Sequence, residues 1–368
     1  MKKVKTLTIT LFLLFFTLIV PSKVFASTYD GKTLDASIYW FGKGNVSQKF
    51  ISGQANPYFD PTKPTLIYIH GWQNGAYKTL HRESFNPSLM DADYGANVNS
   101  ADYWINAGWN IGIFYWNQFS DEPLVNDAEA KIWSPSGPQG MRWRLPDGSF
   151  QTTNTPNESA AQLFVDQYVQ AMKGFSGSEI RLVGHSLGNQ MVINGGEIIS
   201  NMVDDGKLPA NLRPNRIALL DPYWSSGAKS YLGNKWTGAV CRDYVTNLKN
   251  KGVVFEQYKT SDVDDFVVSD RNLGMEQLTD YNVIHSDFIP IYNISSKHRY
   301  ARDWYFYSYA FNPPSEIENG VLTGNMASSA KTPTSRIAQM MNSGYYWNEV
   351  QGTLTYTPGD DAFSKVAK

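Results

Sequence analysis

The segment RLVGHSLGNQ, residues 181–190, constrains the fold of this chain more than any other stretch. It opens with a short apolar run, passes through the pattern G-x-S-x-G around Ser186, and continues with helical spacing over 187–202. Glycines on both sides of a serine let the backbone turn sharply and let the strand and the helix approach closely. The pattern therefore predicts a strand, a tight turn with Ser186 at its tip, and a helix.

The rest of the chain alternates between the same two kinds of segment, and this alternation predicts the fold class. Apolar runs typical of buried strands occur at 65–70, 109–116, 179–183, 216–220 and 253–258, and helical patterns at 100–107, 157–172 and 335–342. We expect Asn157 to cap the second of these helices. The alternation indicates an α/β fold with a mostly parallel sheet covered by helices on both faces. Residues 141–151, MRWRLPDGSFQ, interrupt it with a turn signal, which predicts a hairpin insertion.

The first 26 residues differ in character from the rest of the chain. Three lysines precede an apolar run at 6–20, and Val24 and Ala26 provide the small residues that a signal peptidase requires. The run is shorter than a typical transmembrane helix. We therefore expect a secretory signal over 1–26, a secreted, extracellular mature protein, and no transmembrane segment in the mature chain; the alternative is an uncleaved anchor.

Length, charge and cysteine content limit the remaining organisation. We expect one catalytic domain over 27–312 and a C-terminal extension over 313–368, which is too short for a typical accessory domain and packs on the catalytic domain. The formal net charge of −2 gives no electrostatic reason to expect a nucleic-acid partner. Cys241 is the single cysteine, so an exported chain would rely on its apolar core and not on disulfides.

A serine at such a turn suits nucleophilic attack on a carbonyl, provided that a base, an acid and amide donors are near. The amide N–H groups of Leu187 and Trp72 are the candidate donors for the oxyanion, since each would lie just beyond the end of a strand. In the chain order serine, acid, histidine, the candidate bases are His285 and His298. Asp221 and Asp262 both follow predicted strands, and this reasoning leaves both open as the acid.

Five segments, taken in order, resemble the pancreatic-lipase-like secreted lipases and phospholipases A1. They are TLIYIHGW, RLVGHSLG, ALLDP, HSDFIP and KHRYARDWYFYS, within residues 60–311. The resemblance implies an α/β-hydrolase fold with Ser186 as nucleophile, His298 as base and Asp221 as acid. It leaves His285 as the alternative base, in a neighbouring structural place, and Asp262 as the alternative acid.

The chain departs from that family in several places. Leu219 stands where a glycine is more usual, and the family's disulfides and its C-terminal β-sandwich are missing. Only eight positions separate Pro290 from His298, which leaves no room for the family's lid loop. The calcium loop that follows the acid is not recognisable. Asp262 belongs to a small acidic cluster with Asp264 and Asp265, but the cluster lacks the glycine and glutamate of a calcium loop, so we expect no metal and no cofactor.

The substrate expected from these features is a lipid or another acyl ester, including one presented at a lipid–water interface. Hydrolysis would proceed through an acyl-enzyme, as in a triacylglycerol lipase or a phospholipase A1. The alternatives are a general carboxylesterase and a catalytically silent lipid-binding relative. Aromatic side chains in predicted loops are candidates for an acyl pocket or a lipid-facing surface: Trp133, Trp143, Tyr223, Trp224 and Trp236.

Overall fold

The computed structural model of the protein describes residues 29–262 and 269–368. The expected signal segment at 1–26, together with Asp264 and Asp265, lies outside these ranges. Within them, the strands are β1 (Ser37–Gly42), β2 (Val46–Lys49), β3 (Thr65–Ile69), β4 (Asn110–Tyr115), β5 (Trp143–Arg144), β6 (Phe150–Gln151), β7 (Ile180–His185), β8 (Arg216–Leu220), β9 (Val254–Lys259), β10 (Asp280–Val283), β11 (Ser315–Glu318), β12 (Val321–Met326), β13 (Tyr345–Val350) and β14 (Ala362–Ala367). Twelve of these strands form one sheet in the order β12-β11-β14-β13-β10-β9-β8-β7-β3-β4-β1-β2, and β5 and β6 form a hairpin. The helices are α1 (Ala101–Asn106), α2 (Asn117–Ser120), α3 (Val125–Trp133), α4 (Ala160–Ala171), α5 (Gly188–Asp204), α6 (Thr237–Asn250), α7 (Leu273–Leu278), α8 (Ile294–Ser308) and α9 (Thr334–Met341).

The middle of the sheet is parallel. In the described sheet, seven neighbouring strands from β4 through β3, β7, β8, β9 and β10 to β13 run in one direction. Antiparallel pairs lie toward the edges, where β1 pairs with β2 and β4, and β13 pairs with β14. Because parallel strands end at the same edge, the residues that follow β3, β7, β8 and β9 collect there. The predicted mostly parallel α/β sheet is confirmed, and its arrangement is that of the α/β-hydrolase fold.

Alternation of side chains along the strands gives the sheet two apolar faces. On β3, Ile67 and Ile69 point to one core, whereas Leu66 and Tyr68 point to the other. Helices α3 to α6 cover the first face, and α1 and α8 cover the second. Since both faces are covered, strands β3, β4, β7, β8 and β9 carry apolar side chains toward both cores, as the sequence indicated.

The hairpin and the helix cap, both expected from local sequence, have different outcomes. Strands β5 and β6 pair across the Pro-Asp-Gly turn, with Gly148 at a φ of 85°, and the hairpin insertion is confirmed. The prediction that Asn157 caps this helix is wrong. Helix α4 begins two positions later than expected, and the Ser159 hydroxyl accepts the amide N–H of Gln162 at 3.2 Å.

Residues 313–368 supply β11 to β14 and α9, and these strands extend the sheet beyond β10. A buried ion pair between Arg216 and Glu256, with Nε and Oε1 2.7 Å apart, lies at this junction. Arg216 also donates to the carbonyl groups of Ser329 and Thr332 at 3.0 and 2.7 Å. The C-terminal segment therefore shares the core of the main sheet. No helix within the described ranges is both long and apolar enough to cross a membrane.

Candidate active site

Ser186 stands at the tip of the turn between β7 and α5. Its φ is 55°, in the left-handed region that residues other than glycine seldom adopt. Asn189, a buried residue, holds the turn: its side chain donates to the carbonyl groups of Ser186 and Leu220 at 3.0 and 2.9 Å and accepts the Leu220 amide at 3.0 Å. Strained turns persist only where neighbours fix them, and here they present Ser186 at the carboxyl edge of the sheet. No sequence pattern pointed to this role of Asn189.

Three glycines make room for this turn. A Cβ atom added at Gly184 would lie 2.6 Å from backbone atoms at the start of α5. One added at Gly188 would lie 2.1 Å from the carbonyl oxygen of Ile69, and one at Gly71 would lie 2.6 Å from the Cβ of Ser186. Real carbon atoms do not approach this closely. The two glycines of G-x-S-x-G are therefore required by the close packing of α5 on β3 and β7.

Replacing Gly188 with alanine is expected to lower the free energy of unfolding by about 3 kcal/mol, because the new methyl group meets backbone that cannot move aside. Gly196→Ala, on the same helix, is the matched control. Its Cβ would be 3.1 Å from Ile217 Cδ1, the end of a flexible side chain. Alanine also favours helix, so this variant should stay within about 1 kcal/mol of the original protein. Urea denaturation followed by tryptophan fluorescence measures both; equal stabilities for the two variants would contradict the packing described.

The ring of His298 lies against the carboxylate of Asp221. Nδ1 of His298 donates to Oδ2 of Asp221 at 2.6 Å, and Ser261 donates to the same oxygen through its hydroxyl. Oδ1 accepts the amide N–H groups of Thr260 and Ser261 at 3.1 and 3.3 Å. Burial alone raises the pKa of Asp221, but the hydrogen bonds and the positive charge nearby outweigh it and hold the pKa below its ordinary value. Asp221 is thus an ionised carboxylate that fixes the proton of His298 on Nδ1.

The alternative base and the alternative acid lie elsewhere. The ring of His285 contacts Asn348 on β13, with Nε2 and Oδ1 3.1 Å apart, and its amide donates to Glu349 at 2.6 Å. Asp262 is an exposed residue on the loop after β9. Neither lines the cavity that contains Ser186. The structure therefore brings together Ser186, His298 and Asp221 and leaves His285 and Asp262 apart from them.

His185, the residue before Ser186, also faces this site. It lines the same cavity as Ser186, and its ring centroid is 4.5 Å from that of His298. Nε2 donates to the carbonyl oxygen of His298 at 3.0 Å, because a carbonyl can only accept. Burial and the nearby His298 lower the pKa of His185 to about 3, so the ring is neutral. It supports the backbone of α8 at the point where His298 projects.

The two backbone amides expected to bind an oxyanion, those of Trp72 and Leu187, belong to the loop after β3 and to the turn after β7. Among the residues that the structure describes, the N–H groups of Trp72 and Leu187 have no intramolecular acceptor. His70 fixes the first of the two loops: Nδ1 donates to the carbonyl of Gly71 at 3.0 Å, and Nε2 accepts the Trp116 amide at 3.2 Å. Burial lowers the pKa of His70 to about 4, so this neutral tautomer persists at neutral pH. The Trp72 ring is anchored through Nε1 to the carbonyl of Glu122 at 2.7 Å.

A cavity of about 720 Å³ joins these groups. Its walls include Gly71, Trp72, His185, Ser186 and His298. Within the described ranges, no hydrogen bond joins Ser186 Oγ to the His298 ring, and Nε2 of that ring has no partner. Such bonds are often long in a free enzyme and tighten around substrate. Ser186, the candidate nucleophile, and His298, the candidate base, thus open into the same water-accessible space. Asp221, the candidate acid, is buried behind His298.

A buried carboxylate, Glu83, ties the two halves of this site together. It accepts hydrogen bonds from Arg302 on α8 at 2.8 Å, from Gln73 at 2.8 Å and from the hydroxyl of Tyr68 at 2.7 Å. Burial raises the pKa of Glu83, but the Arg302 charge and the hydrogen bonds reverse the effect and hold it well below its ordinary value. Arg302 is one helical turn beyond His298, and Gln73 follows Trp72. Glu83 therefore holds α8, which carries His298, against the loop that carries Trp72. The sequence analysis did not identify Glu83.

Five aromatic residues were expected in loops, but Trp133 ends α3 and Trp143 begins β5. Of the five, only Tyr223 lines the cavity, and Trp143 and Trp224 are buried in the core. Cys241 is also buried, which raises the pKa of its thiol. Within 29–262 and 269–368, no group of three or more histidine, cysteine, aspartate or glutamate residues is arranged to hold a metal ion.

Comparison with known proteins adds little to this geometry. No protein-family model and no curated protein matches the chain. Among solved structures, it is similar to Est1E from Butyrivibrio proteoclasticus, at 11% identity over 68% of this chain and 88% of that one, with a TM-score of 0.32. It is also similar to LpqC, a poly(3-hydroxybutyrate) depolymerase from Bordetella parapertussis, at 12% identity over 76% of this chain and 85% of that one, with a TM-score of 0.36. A third similar structure is the apo form of Thermogutta terrifontis esterase 2, at 11% identity over 69% of this chain and 84% of that one, with a TM-score of 0.30. At such identities and TM-scores these similarities carry no weight for function, and membership of the pancreatic-lipase-like family stays a prediction.

Proposed function

We propose that the protein is a serine hydrolase that cleaves carboxylic esters through an acyl-enzyme. One observation carries the proposal: Ser186, on a strained turn, opens into the same cavity as His298, whose Nδ1 proton is held by the buried carboxylate of Asp221 at 2.6 Å. A hydroxyl, an imidazole and a carboxylate in this relation form the machinery that activates serine as a nucleophile.

In the proposed reaction, Oγ of Ser186 attacks the ester carbonyl carbon while Nε2 of His298 takes its proton. The negative charge that develops on the carbonyl oxygen is stabilised by the amides of Trp72 and Leu187. The tetrahedral intermediate collapses, and His298 returns the proton to the leaving alcohol. A water molecule, deprotonated by His298, then attacks the acyl-enzyme, and His298 returns that proton to Oγ of Ser186 as the acid leaves. Asp221 keeps the imidazole oriented and stabilises its charged form throughout.

We further propose that the preferred esters are those of lipids, as in a triacylglycerol lipase or a phospholipase A1, acting outside the cell. Support comes from the apolar part of the cavity wall, which includes Met90, Val125, Tyr223 and Ile294. Large apolar side chains flank these positions and are exposed to solvent: Leu89, Leu124, Ile291 and Tyr292, at 64%, 63%, 83% and 84%. Exposed apolar residues around a cavity favour contact with a lipid surface.

The experiment that tests the proposal combines labelling and turnover. A fluorophosphonate probe should label Ser186, and the protein should hydrolyse a short soluble ester; a folded protein that does neither is the silent relative. A rate that jumps above the critical micelle concentration of the substrate supports a lipid ester at an interface. A smooth rate through that concentration favours the general carboxylesterase. N-terminal sequencing of protein recovered outside the cell tests export, and a chain that begins at Met1 would refute cleavage.

A further inference from the structure

One part of the cavity wall is rich in hydrogen-bond donors that have no acceptor. Arg299, which follows His298 on α8, lines the cavity and is held at one end: Nη2 donates to Oδ2 of Asp91 at 2.9 Å and to Oγ of Ser296 at 3.3 Å. Its Nε is buried and has no partner, and Nη1 has no acceptor within residues 29–262 and 269–368. Buried N–H groups of this kind are rare in folded proteins unless something binds them.

His81 contributes to the same wall. Its ring lines the cavity and makes no hydrogen bond within the described part of the chain. Burial lowers the pKa of His81, and although Glu83 raises it, the charges of Arg302 and Arg299 lower it further. The ring is therefore neutral at neutral pH and has one N–H to donate. Arg299 and His81 line the same cavity.

The one carboxylate on this wall does not satisfy these donors. Both oxygens of Glu83 are occupied by Arg302, Tyr68 and Gln73. Asp91 neutralises Arg299 but lies outside the cavity lining and takes a single N–H of the guanidinium. Arg299 and His81 thus contribute hydrogen-bond donors to the cavity wall that Glu83 does not engage.

We propose that Arg299 and His81 bind a carboxylate or phosphate group of the substrate, so that the enzyme prefers esters carrying an anion a few bonds from the scissile bond. The positive charge of the guanidinium and the N–H groups of Nη1 suit the oxygens of either anion. Arg299 and His81 line the same cavity as Ser186, so an anion bound there would share that space with the nucleophile. This inference rests on the proposed ester hydrolysis.

Three soluble butanoyl esters test the proposal: those of glycerol, of glycerol 3-phosphate and of glycerate. The first is neutral, and the other two carry a phosphate or a carboxylate at the same place. We expect kcat/KM for at least one anionic ester to exceed that for the neutral ester by about tenfold. The better of the two identifies phosphate or carboxylate as the group recognised. Equal values for all three esters would overturn the proposal.

The ratio of anionic to neutral kcat/KM is the readout in the variants, since it cancels a general loss of activity. Arg299→Gln should bring the ratio to within about twofold of one, and Arg299→Lys should give an intermediate ratio. Asp91→Asn should raise the ratio, because it removes the negative charge that offsets the charge of Arg299. If Asp91 only held Arg299 in place, the same variant would lower the ratio. Arg271→Gln, at an exposed arginine paired with Glu276, is the matched control and should leave the ratio unchanged. The proposal is contradicted if Arg299→Gln leaves the ratio unchanged, or if Asp91→Asn lowers it.

Binding separates this inference from the proposed function. In Ser186→Ala protein, calorimetry with the same three esters should show tighter binding of the anionic ester, and Arg299→Gln in that background should abolish the difference. If the original protein hydrolyses none of the esters but the binding preference is present, the ester hydrolysis is wrong and the anion site stands. If the esters are hydrolysed without preference and bind equally, only the anion site is wrong.

Discussion

Ser186→Ala is expected to lower kcat for a soluble ester by roughly 10⁵- to 10⁶-fold and to abolish labelling by a fluorophosphonate. The substitution removes the one oxygen that attacks the carbonyl. It leaves the backbone of the turn as it is, since alanine and serine both place a Cβ at the left-handed φ of 55°. The protein should therefore stay folded, with a circular dichroism spectrum and a thermal midpoint close to those of the original. The expected result is a folded protein that no longer hydrolyses the ester at a useful rate.

Two companion variants sharpen this prediction. Ser226→Ala, at an exposed serine on the loop after β8, should keep full activity and labelling. Ser186→Gly should be as inactive as Ser186→Ala but more stable by about 1 kcal/mol, because glycine adopts a positive φ without strain. If Ser186→Ala kept labelling and turnover, the nucleophile would be another residue. If Ser186→Gly were no more stable than Ser186→Ala, the turn would not store the strain described.

The central strands and the turn at Ser186 were predictable because their signals are local. Strands β3, β4, β7, β8 and β9 carry apolar side chains on both faces, and the glycines of the G-x-S-x-G pattern lie within two positions of Ser186. The strands of the C-terminal segment lack such signals. Strand β13 pairs with β10, more than sixty residues earlier in the chain, and Glu316 and Glu349 are buried where a sequence pattern indicates a surface. Their placement depends on partners that are distant in sequence.

The same distinction applies to the site. The resemblance placed Asp221 and His298 in one site, although general reasoning from strand ends left Asp262 and His285 open. The orientation of His185 and the link through Glu83 could not be derived, because both depend on how α8 packs across the sheet. Glu83 is charged, and its sequence neighbours gave no reason to place it in the interior. Only the spatial proximity of Arg302 and Gln73 explains its burial.

Asp221→Asn should lower kcat by about 10⁴-fold with little change in KM, and the cause can be read from the hydrogen bonds of the carboxylate. Oδ1 of Asp221 accepts two amide N–H groups, from Thr260 and Ser261. The carbonyl oxygen of an asparagine must keep this place, because an NH₂ group there would face two donors. The NH₂ group then faces His298 and donates to Nδ1. The imidazole proton moves to Nε2, and the base loses the lone pair that should take the proton of Ser186.

Asp262→Asn is the matched control, since it makes the same chemical change at the alternative acid, which follows β9 as Asp221 follows β8. Its exposed side chain should tolerate the amide, and kcat should stay within about twofold of the original value. The rate of fluorophosphonate labelling should follow kcat in both variants, because labelling needs the same activated oxygen. The opposite pattern, with activity lost in Asp262→Asn and kept in Asp221→Asn, would transfer the role of the acid to the loop. Equal and small losses in both would mean that the hydrogen bond to His298 does not set its tautomer, and the mechanism would then need a base oriented in another way.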